Sequence, residues 1–299
     1  MPGPCGGEIC INNNVSTPEN KALARKLSAM STVLLKNEGG LLPLKPGLRV
    51  VLVGPNAVSP YTAGSGSGGV DTNAVVSPLD AFRALGVEVA YEPGNTTEAA
   101  AAAARAADVA IVFGSAHSGE GSDRADLRLA GNVDDLIPAV AAANAHTVVV
   151  LSVPGSILTD WRDAVPAILT NFLPGEQVGP AIVDILYGAV PPQAKLPVTF
   201  PNVDNEQGWS DSQYPGVKTA NFDLEATYSE GLIVGYRWYD KNDVEPAFAF
   251  GQARLHLTHT PPHQPPTKSS PCDAPGARLH HTQARPLVRG LLRIRRPQG

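Results

Sequence analysis

Five short runs of almost uninterrupted branched and aliphatic residues constrain this chain more than any other feature. They are Arg49-Val50-Val51-Leu52-Val53, Val87-Glu88-Val89-Ala90-Tyr91, Asp108-Val109-Ala110-Ile111-Val112-Phe113, Thr147-Val148-Val149-Val150-Leu151 and the shorter Ala167-Ile168-Leu169-Thr170. A strand without a polar face must be covered on both sides, which calls for a mostly parallel sheet between two helical layers. The intervening segments supply those helices. Ser77 is placed to cap one that has Pro78 at its first position; residues 97–107 are alanine-rich; 132–144 and 179–187 follow. In front of them, Ala22, Leu23, Leu27, Met30 and Leu34 recur at three- and four-residue steps. That spacing predicts one long helix over 19–37, ended by Gly39-Gly40. Val198-Thr199-Phe200 offers a further edge strand, and 202–225 reads as a long surface loop. The expected architecture is a doubly wound α/β/α sandwich over about 19–251, preceded by a lead-in at 1–18.

Composition matters chiefly at the far end. From Gln252 onward eight basic residues face a single acid, Asp273, a net of +7 that leaves −12 for residues 1–251. Five of the seven histidines and paired prolines such as Pro261-Pro262 and Pro265-Pro266 fall there without periodicity, the signature of a disordered basic tail. An overall charge of −5 gives no reason to expect nucleic acid as a partner. No stretch of about 18 apolar residues predicts a membrane span. Met1-Pro2-Gly3-Pro4-Cys5 lacks the basic start and apolar run of a signal peptide. Cys5, Cys10 and Cys272 form neither a disulfide framework nor a zinc spacing. Asn14-Val15-Ser16 and Asn95-Thr96-Thr97 fit the glycosylation sequon.

Several chemistries are excluded by placement. Gly64-Ser65-Gly66-Ser67-Gly68-Gly69 matches the dinucleotide fingerprint in letters, but it stands ten residues beyond the strand end at Gly54 and opens no evident helix. A rim loop is the better reading. No serine meets the G-x-S-x-G elbow, and no Cys/His cluster offers a metal site. No cofactor is expected, and His146, next to a strand start, reads as structural. The informative segment is Gly114-Ser115-Ala116-His117-Ser118-Gly119-Glu120-Gly121-Ser122-Asp123-Arg124. It leaves a buried strand at its carboxyl end, where open α/β sheets bind ligands. Glycines on both sides free Glu120 to project outward, and Asp123 and Arg124 lie close enough to hold the loop or tune that carboxylate. His117, Asp123 and Arg124 are candidates for substrate contact. From position alone a solvated loop glutamate stays open as the alternative.

Ser118-Gly119-Glu120-Gly121 followed by Asp123-Arg124-Ala125-Asp126-Leu127 resembles the acid/base loop of family 3 glycoside hydrolases. Other blocks agree in order. They include Val33-Leu34-Leu35-Lys36-Asn37-Glu38, Val53-Gly54-Pro55-Asn56-Ala57, Leu173-Pro174-Gly175-Glu176, Lys195-Leu196-Pro197-Val198-Thr199-Phe200-Pro201 and Gly235-Tyr236-Arg237-Trp238-Tyr239-Asp240. The resemblance implies a sandwich domain that normally sits against a TIM barrel, with the active site between them. It also implies a retaining two-carboxylate reaction on a β-glucoside or other small carbohydrate. Glu120 takes the position of the general acid/base, while the family's nucleophilic aspartate belongs to the barrel and has no counterpart in these 299 residues. The chain is therefore expected to be nearly inactive alone. Its parent is expected to be secreted. Phe248-Ala249-Phe250-Gly251 fits a late family block, but the expected H-G-L-S-Y is replaced by Gln252-Ala253-Arg254-Leu255-His256, a break that suggests a frameshift or retained intron. A non-catalytic sugar-binding or partner-docking module is the alternative function, and a nucleotide-binding domain a distant third.

Overall fold

In the computed structural model, residues 16–253 are described, apart from 71, 73 and 221–223. The three cysteines, the sequon at Asn14 and nearly all of the basic tail lie outside the described residues. The chain opens with helix α1 (Pro18–Met30), strand β1 (Val33–Asn37) and strand β2 (Val50–Val53). Then α2 (Pro78–Ala84), β3 (Val89–Glu92), α3 (Thr97–Arg105), β4 (Val109–Ser115), α4 (Val133–Ala143), β5 (Thr147–Ser152), β6 (Ala167–Thr170) and α5 (Val178–Leu186) alternate. A two-residue hairpin, β7 (Val217–Lys218) and β8 (Leu224–Glu225), and a last helix, α6 (Tyr236–Asn242), follow.

The sheet runs β1-β6-β5-β4-β2-β3. All neighbours are parallel except β1, which lies antiparallel on the β6 edge with Val33 opposite Thr170 and Asn37 opposite Ala167. Strand alternation sorts the apolar side chains into two cores. Val51, Val53, Ala110, Val112, Val149, Leu151 and Ile168 face α3 and α4 through Ala100, Ala104, Leu136 and Ile137. Val50, Leu52, Ile111, Val148, Val150 and Leu169 face α1, α2 and α5 through Ala29, Phe82, Ile182 and Leu186. Each side chain of β5 is fully or almost fully buried, and burying one valine or leucine contributes about 1.5–3 kcal/mol. That burial is why the central Val/Ile runs form strands with two covered faces; β3, from the run at 87–91, is the outer strand and is only partly buried.

Two expectations are corrected. The helix expected over 19–37 stops at Met30; Ser31 caps it and Val33–Asn37 is the antiparallel edge strand. The periodic residues Leu23, Leu27 and Met30 lie on the exposed side of α1, which docks instead through buried Ser28 and Ala29 and an Arg25–Asp184 ion pair of 2.6 Å onto α5. Nor does Val198-Thr199-Phe200 extend the sheet: Phe200 makes an isolated bridge to Phe248, and both rings close the α3/α4 core. The Ser77 cap is present, its Oγ accepting from Asp80 N at 3.1 Å. Among the described residues no helix is long and apolar enough to cross a membrane.

Candidate functional site

Chain order and sheet order part company at β2. From β2 the chain steps outward to β3 and then returns past β2 to β4. The loops leaving β2 and β4 at their carboxyl ends therefore lie side by side over the switch point, the place where wound sheets hold ligands. The first loop is 54–77, which contains the glycine-rich segment; the second is 116–132, which contains Glu120.

The second loop is long, yet it is pinned along its length. Ala130 N donates to Ser115 O at 2.7 Å, and Leu158 N to Leu127 O at 2.8 Å. Arg124 Nη1 donates to Ser156 O at 3.0 Å, which ties the loop to the exit from β5. Asp134, in the first turn of α4, accepts from Leu129 N at 2.9 Å and from the buried Trp161 Nε1 at 2.8 Å. A carboxylate there also suits the positive end of the helix.

At the base of the loop, Ser115 Oγ donates to Asn56 Oδ1 at 3.1 Å and lies 3.1 Å from His117 Nε2. With its only proton committed to Asn56, the hydroxyl receives the imidazole N–H and is not activated as a nucleophile. His117 stacks on Tyr61, ring centroids 4.4 Å apart. The Tyr61 hydroxyl donates to Ser118 O at 2.9 Å and accepts from Ser118 N at 3.1 Å. One phenol from the first loop thus fixes the backbone two residues before Glu120.

Glu120 itself is exposed, at the carboxyl end of the sheet among the loop tips. Its Oε2 accepts from Ser67 N at 2.7 Å and from Ser67 Oγ. Those hydrogen bonds, the hydroxyl first and the amide second, hold its carboxyl below the usual glutamate range against a small opposing effect of burial. Asp123 is exposed on the same loop, and Arg124 is turned toward Ser156. His117 and Glu120 therefore meet Tyr61 and Ser67 where the two loops touch, while Arg124 anchors the loop's far side. Sequence reasoning did not single out Ser67 or Tyr61. The alternating small residues of 64–69 were the available signal, since they permit the backbone approach that brings Ser67 to Glu120.

The glycine-rich segment is no dinucleotide cradle. Its only helical feature is a single 3-10 turn at Gly66–Gly68, and α2 begins well past it at Pro78. On its other side it walls a hollow of about 400 Å³ lined by Val70, Leu173, Gly175 and Glu176, among others. His146 caps the amino end of the sheet, its Nδ1 3.2 Å from Asp108 O. Among the described residues no group of three His, Cys, Asp or Glu is placed to hold a metal ion.

Residues 32–236 match the family model described as the glycosyl hydrolase family 3 C-terminal domain. Thermostable beta-glucosidase B from Acetivibrio thermocellus is 36% identical over 245 residues, covering 77% of this chain and 32% of that protein. Probable beta-glucosidase L from Aspergillus terreus is 35% identical over 277 residues, 82% of this chain and 36% of its own length. Among solved structures, DesR, a beta-glucosidase from Streptomyces venezuelae in complex with D-glucose, superposes with a TM-score of 0.74 at 27% identity, covering 79% of this chain and 45% of that one. The chain spans about a third of the length of these curated relatives.

Proposed function

The chain belongs to glycosyl hydrolase family 3, and on that premise we propose that it is the acid/base-bearing part of a β-glucosidase-like hydrolase, with Glu120 as the group that moves the proton. The supporting observation is the placement of Glu120: an exposed carboxylate on a pinned loop at the switch point of a wound sheet. Retaining glycosidases need two carboxyl groups about 5–5.5 Å apart. One attacks the anomeric carbon as the glycosidic C–O bond breaks, and Glu120 gives its proton to the departing oxygen. Water then attacks the glycosyl-enzyme, Glu120 takes the water's proton, and the sugar is released. The attacking aspartate is assigned to a barrel outside these 299 residues, which faces the rim where loops 54–77 and 116–132 meet. A β-glucoside is the substrate class, as the relatives' names indicate.

The test is a chimera in which residues 19–251 replace the matching third of thermostable beta-glucosidase B. The chimera is expected to hydrolyse β-glucosides. Glu120→Gln in it is expected to abolish turnover of substrates with poor leaving groups, and to slow formation of the glycosyl-enzyme from activated aryl glucosides much less. Undiminished turnover by the variant on both substrate types would remove the assignment. A second reading, a sugar-binding module without chemistry, draws on the engagement of the Glu120 carboxylate by Ser67. It requires glucose binding by the isolated chain in calorimetry together with an unaffected Glu120→Gln chimera.

A further inference from the structure

The mechanism above uses Glu120 and leaves its closest partner unexplained. Loops 54–77 and 116–132 meet along Ser65–Ser67 on one side and Gly119–Glu120 on the other. Ser65 bridges Gly119, Glu120 N donates to Ser65 O at 3.4 Å, and the contact ends with both Ser67 donors on Glu120 Oε2. The glycines here leave no room for anything larger. At Gly119 a Cβ would fall 1.7 Å from Ser65 Oγ. At Gly66, where φ is +72°, it would fall 2.4 Å from Glu120 Cβ and 2.9 Å from Oε2. The backbone bridges and glycines would suffice to hold the loops together. The Ser67 hydroxyl adds something only the carboxylate feels.

Resting on the acid/base reading, we infer that Ser67 is a positioning residue that holds the ionised Glu120 carboxylate on the rim, an arrangement that must rearrange when Glu120 takes up the proton. Both Ser67 groups donate, so they fit the ionised form. A proton on Oε2 would oppose the Ser67 amide, which can only donate, and would oblige the Ser67 hydroxyl to turn from donor to acceptor. In the proposed cycle the ionised form is the one present once the leaving-group oxygen has taken its proton and before water has been activated. Ser67 thus supports the intermediate and resists the protonated form needed to begin. The direction of the Glu120 titration agrees. Loop residues 61–70 contain no charged side chain. On the Glu120 loop the titratable neighbours are His117, stacked on Tyr61, exposed Asp123, and Arg124, which is turned to Ser156 O.

Carboxyl-carbon NMR of the 299-residue chain tests this without any hydrolytic activity, with Glu120 assigned through Glu120→Gln. The wild-type Glu120 signal is expected to titrate below an ordinary glutamate. Ser67→Ala is expected to move it upward, and Ser67→Thr, which keeps the hydroxyl, to leave it near wild type. The Ser67 amide, followed in the same wild-type samples, is expected to titrate with the same midpoint, a readout that needs no variant to fold. An ordinary Glu120 midpoint, an unmoved midpoint in Ser67→Ala, or an amide that does not follow Glu120 would overturn the proposal. The chimera and this titration fail separately: loss of the glycosidase reading leaves the Ser67 contact standing, and the reverse holds as well.

Discussion

Two residues outside the loops help to hold them, one for each loop. Gly179, in the first turn of α5, hydrogen-bonds Val76 O through its amide, and a Cβ there would come within 2.2 Å of Ser77 O and 2.6 Å of Val76 O. Those atoms are backbone and cannot turn aside. Gly179→Ala is therefore expected to destabilise the chain by roughly 3 kcal/mol through overpacking, read as a drop of about 1 M in the urea midpoint. Asp134 acts on the other loop. Asp134→Ala leaves Leu129 N and the buried indole N–H of Trp161 without their acceptor. A loss of roughly 2–3 kcal/mol is expected, with faster amide exchange concentrated in 121–131; uniform exchange across the sheet would show that Asp134 is not a local anchor. At this scale the exposed loop position of Glu120 was legible from its glycine neighbours and its place after a buried strand, while the role proposed for it comes from the family resemblance. Ser67 was not legible. Its role depends on a contact across 53 positions of sequence, which no local pattern encodes.

Elements were legible where burial is complete and ambiguous where it is one-sided. β4 and β5 are apolar except at their ends and fully covered, so their type followed from composition alone. Val33-Leu34-Leu35 is as apolar but short, and it follows a segment already in helical register, where periodicity does not separate a strand from a continuing helix. The pairing with β6 settles it, and pairing is non-local. The apolar stripe of α1 misled in the same way: Leu23 and Leu27 are 53% and 58% exposed, while the buried contact runs through smaller residues. Charge also acts between elements. Arg49, just before β2, donates to both carboxylate oxygens of Asp108, just before β4, at 2.8 and 3.2 Å. The Arg49 side-chain hydrogen bonds come first among the causes that draw the Asp108 carboxyl from an ordinary 3.8 down to about 2. A carboxyl lowered by folding stabilises the native state above its unfolded value and loses that contribution as pH falls toward the folded one. Between pH 4 and 2 the wild-type chain is thus expected to lose stability more steeply than Asp108→Asn. Melting temperatures across that range check it, and a parallel decline in the two proteins would show the pair to be inert. Because both side chains are substantially exposed, high salt should shrink the difference.

At the scale of the whole molecule, the doubly wound architecture was legible from the strand and helix alternation, but the site is only half described by it. Among the described residues of loops 54–77 and 116–132 the carboxylates are Glu120, Asp123 and Asp126, all on the second loop. Asp123 lies on the same exposed loop as Glu120, on the side that Arg124 ties to Ser156. A retaining mechanism needs its carboxyl groups on opposite sides of the anomeric carbon, so two groups on one short loop do not form that pair. The 299-residue chain by itself is accordingly expected to hydrolyse an aryl β-glucoside at near-background rate, while the chimera turns it over and keeps most of that rate in Asp123→Asn. Initial rates of aryl release over a range of enzyme concentrations measure all three. Turnover by the isolated chain that scales with its concentration and disappears in Asp123→Asn would place both carboxylates on this loop and remove the need for a facing barrel.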